Sequence, residues 1–167
     1  MTPTFAHRAA RSSFNLSTDH GIYAHFLKPG VEVPMLEPGI DGIIYVGRTQ
    51  SRTGFRGRDH FGIPFPASTV RQSLAALLAK PLELSIRPYR RSWTIDERSD
   101  DRLRSWMHEH LLFAIEPCDD PPLYEQRAIW AYRPPLNLKD CPQTPGHERL
   151  SALRRSLLLA CRRHPDL

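Results

Sequence analysis

Long apolar runs are missing from this chain of 167 residues. A membrane-crossing helix needs about 18–20 consecutive apolar residues, so none is expected. The first residues also lack the apolar stretch of a secretory leader, which leads us to expect a cytoplasmic protein. Cysteine is sparse: Cys118, Cys141 and Cys161 form no Cys-x-x-Cys pair and no regular framework. That spacing argues against a thiolate zinc cluster and a disulfide scaffold, and suits reduced thiols. No internal repeat and no low-complexity tract interrupts the chain, so a solenoid is excluded. Lysine is the scarcest charged residue, standing only at 28, 80 and 139, so that 20 of the 23 basic residues are arginine. A guanidinium is a planar fork that matches phosphate oxygens, whereas an ammonium is a point charge. Together with a net charge of +5, this composition is compatible with a polyanionic partner.

What is present is ordinary globular material, 40% hydrophobic and 25% charged. It suffices for one domain with a real core. Residues 21–28 and 42–49 read as two strands, with Ile43, Ile44 and Tyr45 supplying β-propensity. A long proline- and glycine-containing loop, 29–41, joins them. Residues 50–66 hold three glycines and two prolines and leave room for one short helix near 55–61. Ser68 caps an expected helix over 68–79 whose apolar face is Val70, Leu74, Leu77 and Leu78. A short strand at 83–88, a helix at 97–110 and a strand at 111–115 follow. Asp120 caps a helix opened by Pro121 and Pro122 and closed before Pro134. A last amphipathic helix spans 148–163. Residues 1–19 read as a flexible N-terminal arm, 20–138 as the functional domain, and 139–167 as a helix packed on it. The fold class is α+β: a small antiparallel sheet of about three strands flanked by helices.

Several short motifs occur in order along this frame. Gly21-Ile22-Tyr23 lies on the first strand and Tyr45-Val46-Gly47 on the second. Arg56 and His60 follow at an Arg-x-x-x-His spacing. Glu125 then opens the pattern Glu-x3-Ile-x2-Tyr-x-Pro-x2-Asn, completed by Ile129, Tyr132, Pro134 and Asn137. In this order the motifs resemble the GIY-YIG nuclease family, over roughly residues 20–138. The sequence departs from the family in three ways. The stretch between the two tyrosines is longer than usual. Arg56 competes with Arg58 and Arg52 for the family's arginine. Gly57 also weakens the helix that should present Arg56.

The resemblance implies an endonuclease that hydrolyses DNA phosphodiester bonds with a divalent metal, Mg²⁺ or Mn²⁺. Such hydrolysis needs a deprotonated water, charge neutralisation on the phosphoryl oxygens, and help for the leaving oxygen. On this reading Tyr23, Tyr45, Arg56, His60 and Glu125 are catalytic. Glu125 is the metal ligand, offering one hard carboxylate as Mg²⁺ sites commonly do. Arg56 would neutralise the phosphoryl oxygens. Tyr23 is favoured to orient or deprotonate water, with Tyr45 and His60 assisting. Arg48, Arg58 and Arg71 are expected to bind substrate. Gly21, Gly47 and Asn137 are structural, Asn137 holding the turn after the paired prolines.

The run Arg87-Pro88-Tyr89-Arg90-Arg91-Ser92-Trp93 mixes arginines with aromatics and reads equally as a nucleic-acid groove and as a solvated edge. There is little room for a second DNA-binding domain. The chain must therefore bind DNA itself, cut as a homodimer, borrow a separate specificity partner, or cut with low specificity. The rival reading is a catalytically inactive nucleic-acid-binding module of the same fold.

Overall fold

Three strands and their covering helices follow directly from the residue pattern. The computed structural model describes residues 3–6, 8–10, 20–49, 60–61, 63–139 and 141–163. β1 (Gly21–Leu27) is the central strand and is buried along its whole length. β2 (Ile43–Thr49) and β5 (Leu111–Pro117) flank it antiparallel, in the order β2-β1-β5. A β-bulge between His25 and Phe26 makes Ile44 the extra residue on β2. Up to that bulge, alternate residues sort onto opposite faces.

One face carries Ile22, Ala24 and Phe26 from β1, Val46 from β2 and Ala114 from β5. It packs on Ala128 and Ile129 of α3 (Pro121–Tyr132). The other face presents Tyr23, His25, Tyr45 and Phe113, which meet the rings of His60 and Phe61. Beyond this aromatic layer lies the main core, built with α1 (Thr69–Leu78) and α2 (Glu97–His110). α4 (Pro145–Arg163) closes it from outside, against α1.

Ser68 and Asp120 cap their helices as expected, and Asp96 adds a cap the sequence reading did not name. Ser68 accepts from Arg71 N, Asp96 from Ser99 N and Asp120 from Leu123 N. α3 ends at Arg133, left-handed at φ 50°, one residue before Pro134.

Three expectations need correction. The 83–88 strand is instead β3 (Ile86–Tyr89), paired with an unforeseen β4 (Ser92–Ile95) in a two-residue hairpin turned at Arg90-Arg91. In it Trp93 is buried against Phe65, so its ring is not available to stack a base. The N-terminal segment is no free arm over its described part. Phe5 is buried against Phe26 and Tyr132, and Ala9 bridges to Phe113 on the β5 edge through two backbone hydrogen bonds. Finally, α4 begins at Pro145 rather than 148. The short helix expected near 55–61 lies mostly outside the described residues. Among the described residues, no helix is long and apolar enough to cross a membrane.

Candidate active site

The two glycine-tyrosine motifs are fitted to each other across the β1–β2 ladder. Tyr23 stands opposite Gly47. A Cβ on Gly47 would lie 2.5 Å from Tyr23 Cζ and 2.6 Å from its hydroxyl oxygen. Only a glycine lets the Tyr23 ring lie across that point of the strand. Gly21 has the same requirement against backbone, since a Cβ there would meet Glu116 O at 2.5 Å. Both motif glycines are thus places of close approach.

Tyr45 projects from the same face as Tyr23, their ring centres 6.2 Å apart. The hydroxyls of Tyr23 and Thr69 hydrogen-bond to the Tyr45 hydroxyl and favour its anion, as donors do. Burial and the nearby Glu125 carboxylate act the other way and prevail. They push the Tyr45 phenol up to about 12, so it keeps its proton at neutral pH.

His60 packs edge-on to Tyr45, with ring centres 4.8 Å apart. Its Nδ1 lies 2.8 Å from Ser68 Oγ, which also caps α1. Burial, and secondly the Arg71 charge, lower the His60 imidazole to about 4. It is therefore a neutral ring. Its Nε2 is buried and has no hydrogen-bond partner.

Glu125 approaches from the other side of β2. α3 sets its carboxylate, 21% exposed, 3.2 Å from Arg48 Nη1. Since β2 is an edge strand, Tyr45 from one face and the Arg48–Glu125 pair from the other meet around the same edge. They open on a cleft of about 890 Å³ that Thr69, Lys139 and Arg154 also line. Among the described residues, no group of three or more His, Cys, Asp or Glu side chains could cage a metal. The donor set at the cleft suits an ion held by one carboxylate together with waters and substrate oxygens.

Asn137 explains how the edge is fixed. Its Nδ2 donates to Val46 O at 2.8 Å and its Oδ1 accepts from Val46 N at 2.9 Å. Leu136 N donates to Ile44 O at 2.9 Å just before it. The amide side chain therefore stands in for a neighbouring strand beside the Tyr45-Val46-Gly47 motif. It also closes the expected turn, its own N–H donating to Pro134 O.

Arg71 is not at the cleft surface. It is fully buried, paired with Asp100, and donates to Ile63 O. Its expected part in substrate binding is replaced by a structural one, because α1 is enclosed on every side. Arg56 and Arg58, like Arg52, lie outside the described residues. Tyr23, Tyr45, His60, Glu125 and Arg48 do come together, with Asn137 and both glycines supporting them. Three residues escaped the sequence reading: Thr69, His25 and Arg154. Thr69 is an ordinary first helical residue, and nothing in the sequence marks its contact with Tyr45. His25, two residues after Tyr23, shares its face and is completely buried; strand periodicity could have signalled it.

The sequence model of the GIY-YIG catalytic domain matches residues 21–157. The chain belongs to the GIY-YIG family. Its α+β architecture, with a three-stranded antiparallel sheet, is that of a GIY-YIG domain, and the domain carries a nuclease-type fold. The match runs past Asn137 and into α4. No curated protein and no solved structure gives a significant match to the chain.

Proposed function

We propose that this GIY-YIG protein is a metal-dependent endonuclease that hydrolyses phosphodiester bonds in DNA. The observation that carries the reading is the meeting of the tyrosine pair with the Glu125 carboxylate around the edge of β2. Glu125 would hold the divalent ion, Mg²⁺ or Mn²⁺, whose positive charge stabilises the phosphoryl oxygens when bound. Arg48, already 3.2 Å from Glu125, reaches the same place and can donate to a non-bridging oxygen. Arg56 and Arg58 are further proposed phosphate ligands.

Tyr45 works as a proton donor, since a phenol held near 12 is a poor base. Tyr23 keeps its proton in a hydrogen bond to the Tyr45 oxygen, which leaves its own oxygen free to accept from, and so orient, the attacking water. The water oxygen bonds to phosphorus and its proton passes to a non-bridging phosphoryl oxygen, while the bond to the leaving sugar oxygen breaks and that oxygen takes a proton from solvent water. His60, neutral and set behind Tyr45, fixes the phenol's position and polarity instead of acting as a charged acid. Gly21, Gly47 and Asn137 hold the strands in register beneath these groups.

Supercoiled plasmid cleavage by wild type and Glu125→Gln, with Mg²⁺ and with EDTA, tests the reading. Metal-dependent nicking or linearisation should fall at least about 100-fold in the variant. Cleavage that survives Glu125→Gln at the wild-type rate refutes the metal assignment. Salt-sensitive DNA binding with no product under any metal would instead establish the inactive binding module.

A further inference from the structure

α4 contributes a cation to the cleft that the catalytic reading does not use. Arg154 donates through Nη1 to Ser73 Oγ at 3.3 Å and through Nη2 to Gln72 Oε1. Both acceptors are neutral. Among the described residues no carboxylate lies within ion-pair distance of it. Burial lowers its affinity for its proton with no opposing charge to compensate, yet a guanidinium stays charged at neutral pH. A half-buried cation without a counter-ion is costly unless an anion completes it. Two of its five donors are committed, so others remain for a ligand.

Its position makes the identity of that anion specific. Arg154 lines the 890 Å³ cleft that holds Glu125 and Arg48. It also lines a second groove of about 310 Å³ that runs to Arg155 on α4 and Ser92 at the base of the β3–β4 hairpin. Lys139, exposed and without an ion pair among the described residues, stands on the cleft wall between Asn137 and α4. The cations therefore form a track from the catalytic edge outward: Arg48, Lys139, Arg154, Arg155. Arg48 stands on β2, Lys139 in the segment after Asn137, and Arg154 and Arg155 on one turn of α4 but about 100° apart around it, so a backbone with repeating charge can touch them in succession. A single small anion could not reach all four.

Resting on the nuclease reading above, we infer that the nucleic-acid strand leaves the catalytic cleft over α4. Arg154 with Lys139 binds the phosphate next to the scissile one, and Arg155 binds another beside the hairpin. This gives the substrate one direction across the protein. It also makes α4 part of the binding surface and not only a cover for the core.

The test uses the full chain carrying Glu125→Gln, so that binding is read without turnover. Fluorescence anisotropy with a labelled duplex is measured between 50 and 200 mM salt. Comparison variants are Arg154→Gln, the pair Lys139→Gln/Arg155→Gln, and Arg98→Gln, an exposed α2 arginine away from the track. Each lost phosphate contact should reduce the salt slope by about 0.9 and weaken binding roughly 5- to 20-fold, with Arg98→Gln near its parent. In the active background the same changes should raise KM far more than they lower kcat. Thermal melting checks Arg154→Gln; should it fail to fold, the Lys139/Arg155 pair, both exposed, decides alone. Wild-type cleavage with track variants indistinguishable from Arg98→Gln overturns the track and leaves the nuclease intact. A wild type that neither binds nor cuts DNA overturns both.

Discussion

Replacing Asn137 by Asp changes one atom and reverses one hydrogen bond. In the native protein the amide is nearly buried, at 8% exposure, and satisfies both backbone groups of Val46. A carboxylate keeps the bond from Val46 N–H. It loses the donor that served Val46 O, and sets an anionic oxygen where the native Nδ2 lies 2.8 Å from that carbonyl. A lost hydrogen bond with a buried acceptor left unsatisfied costs about 1–3 kcal/mol, and the desolvated charge adds to it. N137D should therefore destabilise the fold by roughly 3–5 kcal/mol at pH 7.5, a large share of the ~5–15 kcal/mol typical of a domain. N137A, which loses both bonds without adding a charge, should cost about 2–4 kcal/mol.

The sign of the pH dependence separates this account from a general weakening. Burial and the facing carbonyl raise the introduced carboxyl's folded-state pKa above its unfolded value near 3.9. A group so raised contributes stability at low pH that is lost as pH rises through the folded value. Once protonated, the carboxyl can donate to Val46 O again. Urea unfolding followed by tryptophan fluorescence, at pH 7.5 and 5.0, gives the difference from wild type at each pH, so other titrations cancel. The gap should narrow by at least about 1 kcal/mol at pH 5.0. A gap below 0.5 kcal/mol at pH 7.5, or one that widens at pH 5.0, would refute the role given to Asn137.

Gly47→Ala should leave the sheet formed but force the Tyr23 ring aside, because the new methyl would sit 2.5 Å from Cζ. A displacement of about 1 Å at a reacting group costs on the order of 100-fold in rate, so plasmid cleavage should fall by that order with far-ultraviolet dichroism retained; near-wild-type turnover would sink the argument. His60 should make wild-type stability fall with acid. Its folded-state pKa near 4 lies below the ordinary 6.5, so the unfolded chain takes the proton first. The stability it protects is fully present above about pH 6.5 and is lost as pH falls toward 4, by about 2–4 kcal/mol. His60→Asn should flatten that acid limb in urea titrations between pH 7 and 4, and an unchanged limb would show that the imidazole is not held neutral.

Motifs local in sequence were legible. The two strands, the caps of α1 and α3, and the glycine-tyrosine pairs could be read because propensity and spacing act over a few residues. The family resemblance assigned Glu125 before any geometry was visible. The hairpin β3–β4 was hidden by its chemistry. Its turn uses Arg90 at φ 51° where glycine or asparagine is the usual signal, and Pro88 sits inside a strand. Proline is tolerated there because a two-stranded sheet is all edge. Arg71 was misread for a different reason. Periodicity gave α1 one apolar face, yet Val70 to Leu78 are all buried. The second cover comes from α2 and α4, and no window on α1 can reveal it.

The chemical character of the site resides in pairings that no local pattern carries. Arg48 meets Glu125 across 77 positions, and Asn137 grips Val46 across 91. Both pairings act on β2, an edge strand whose outer side would otherwise expose unpaired backbone. A helix laid along that edge would have covered it and closed the cleft. Instead single groups satisfy it, Leu136 N at Ile44 O and the Asn137 amide at both backbone groups of Val46, leaving Tyr45 and Arg48 able to face the cleft. The asparagine and the open site are thus two consequences of one choice: the edge is finished by isolated groups and not by a continuous neighbour. That is why a residue expected to hold a turn also bonds the strand edge beside Tyr45.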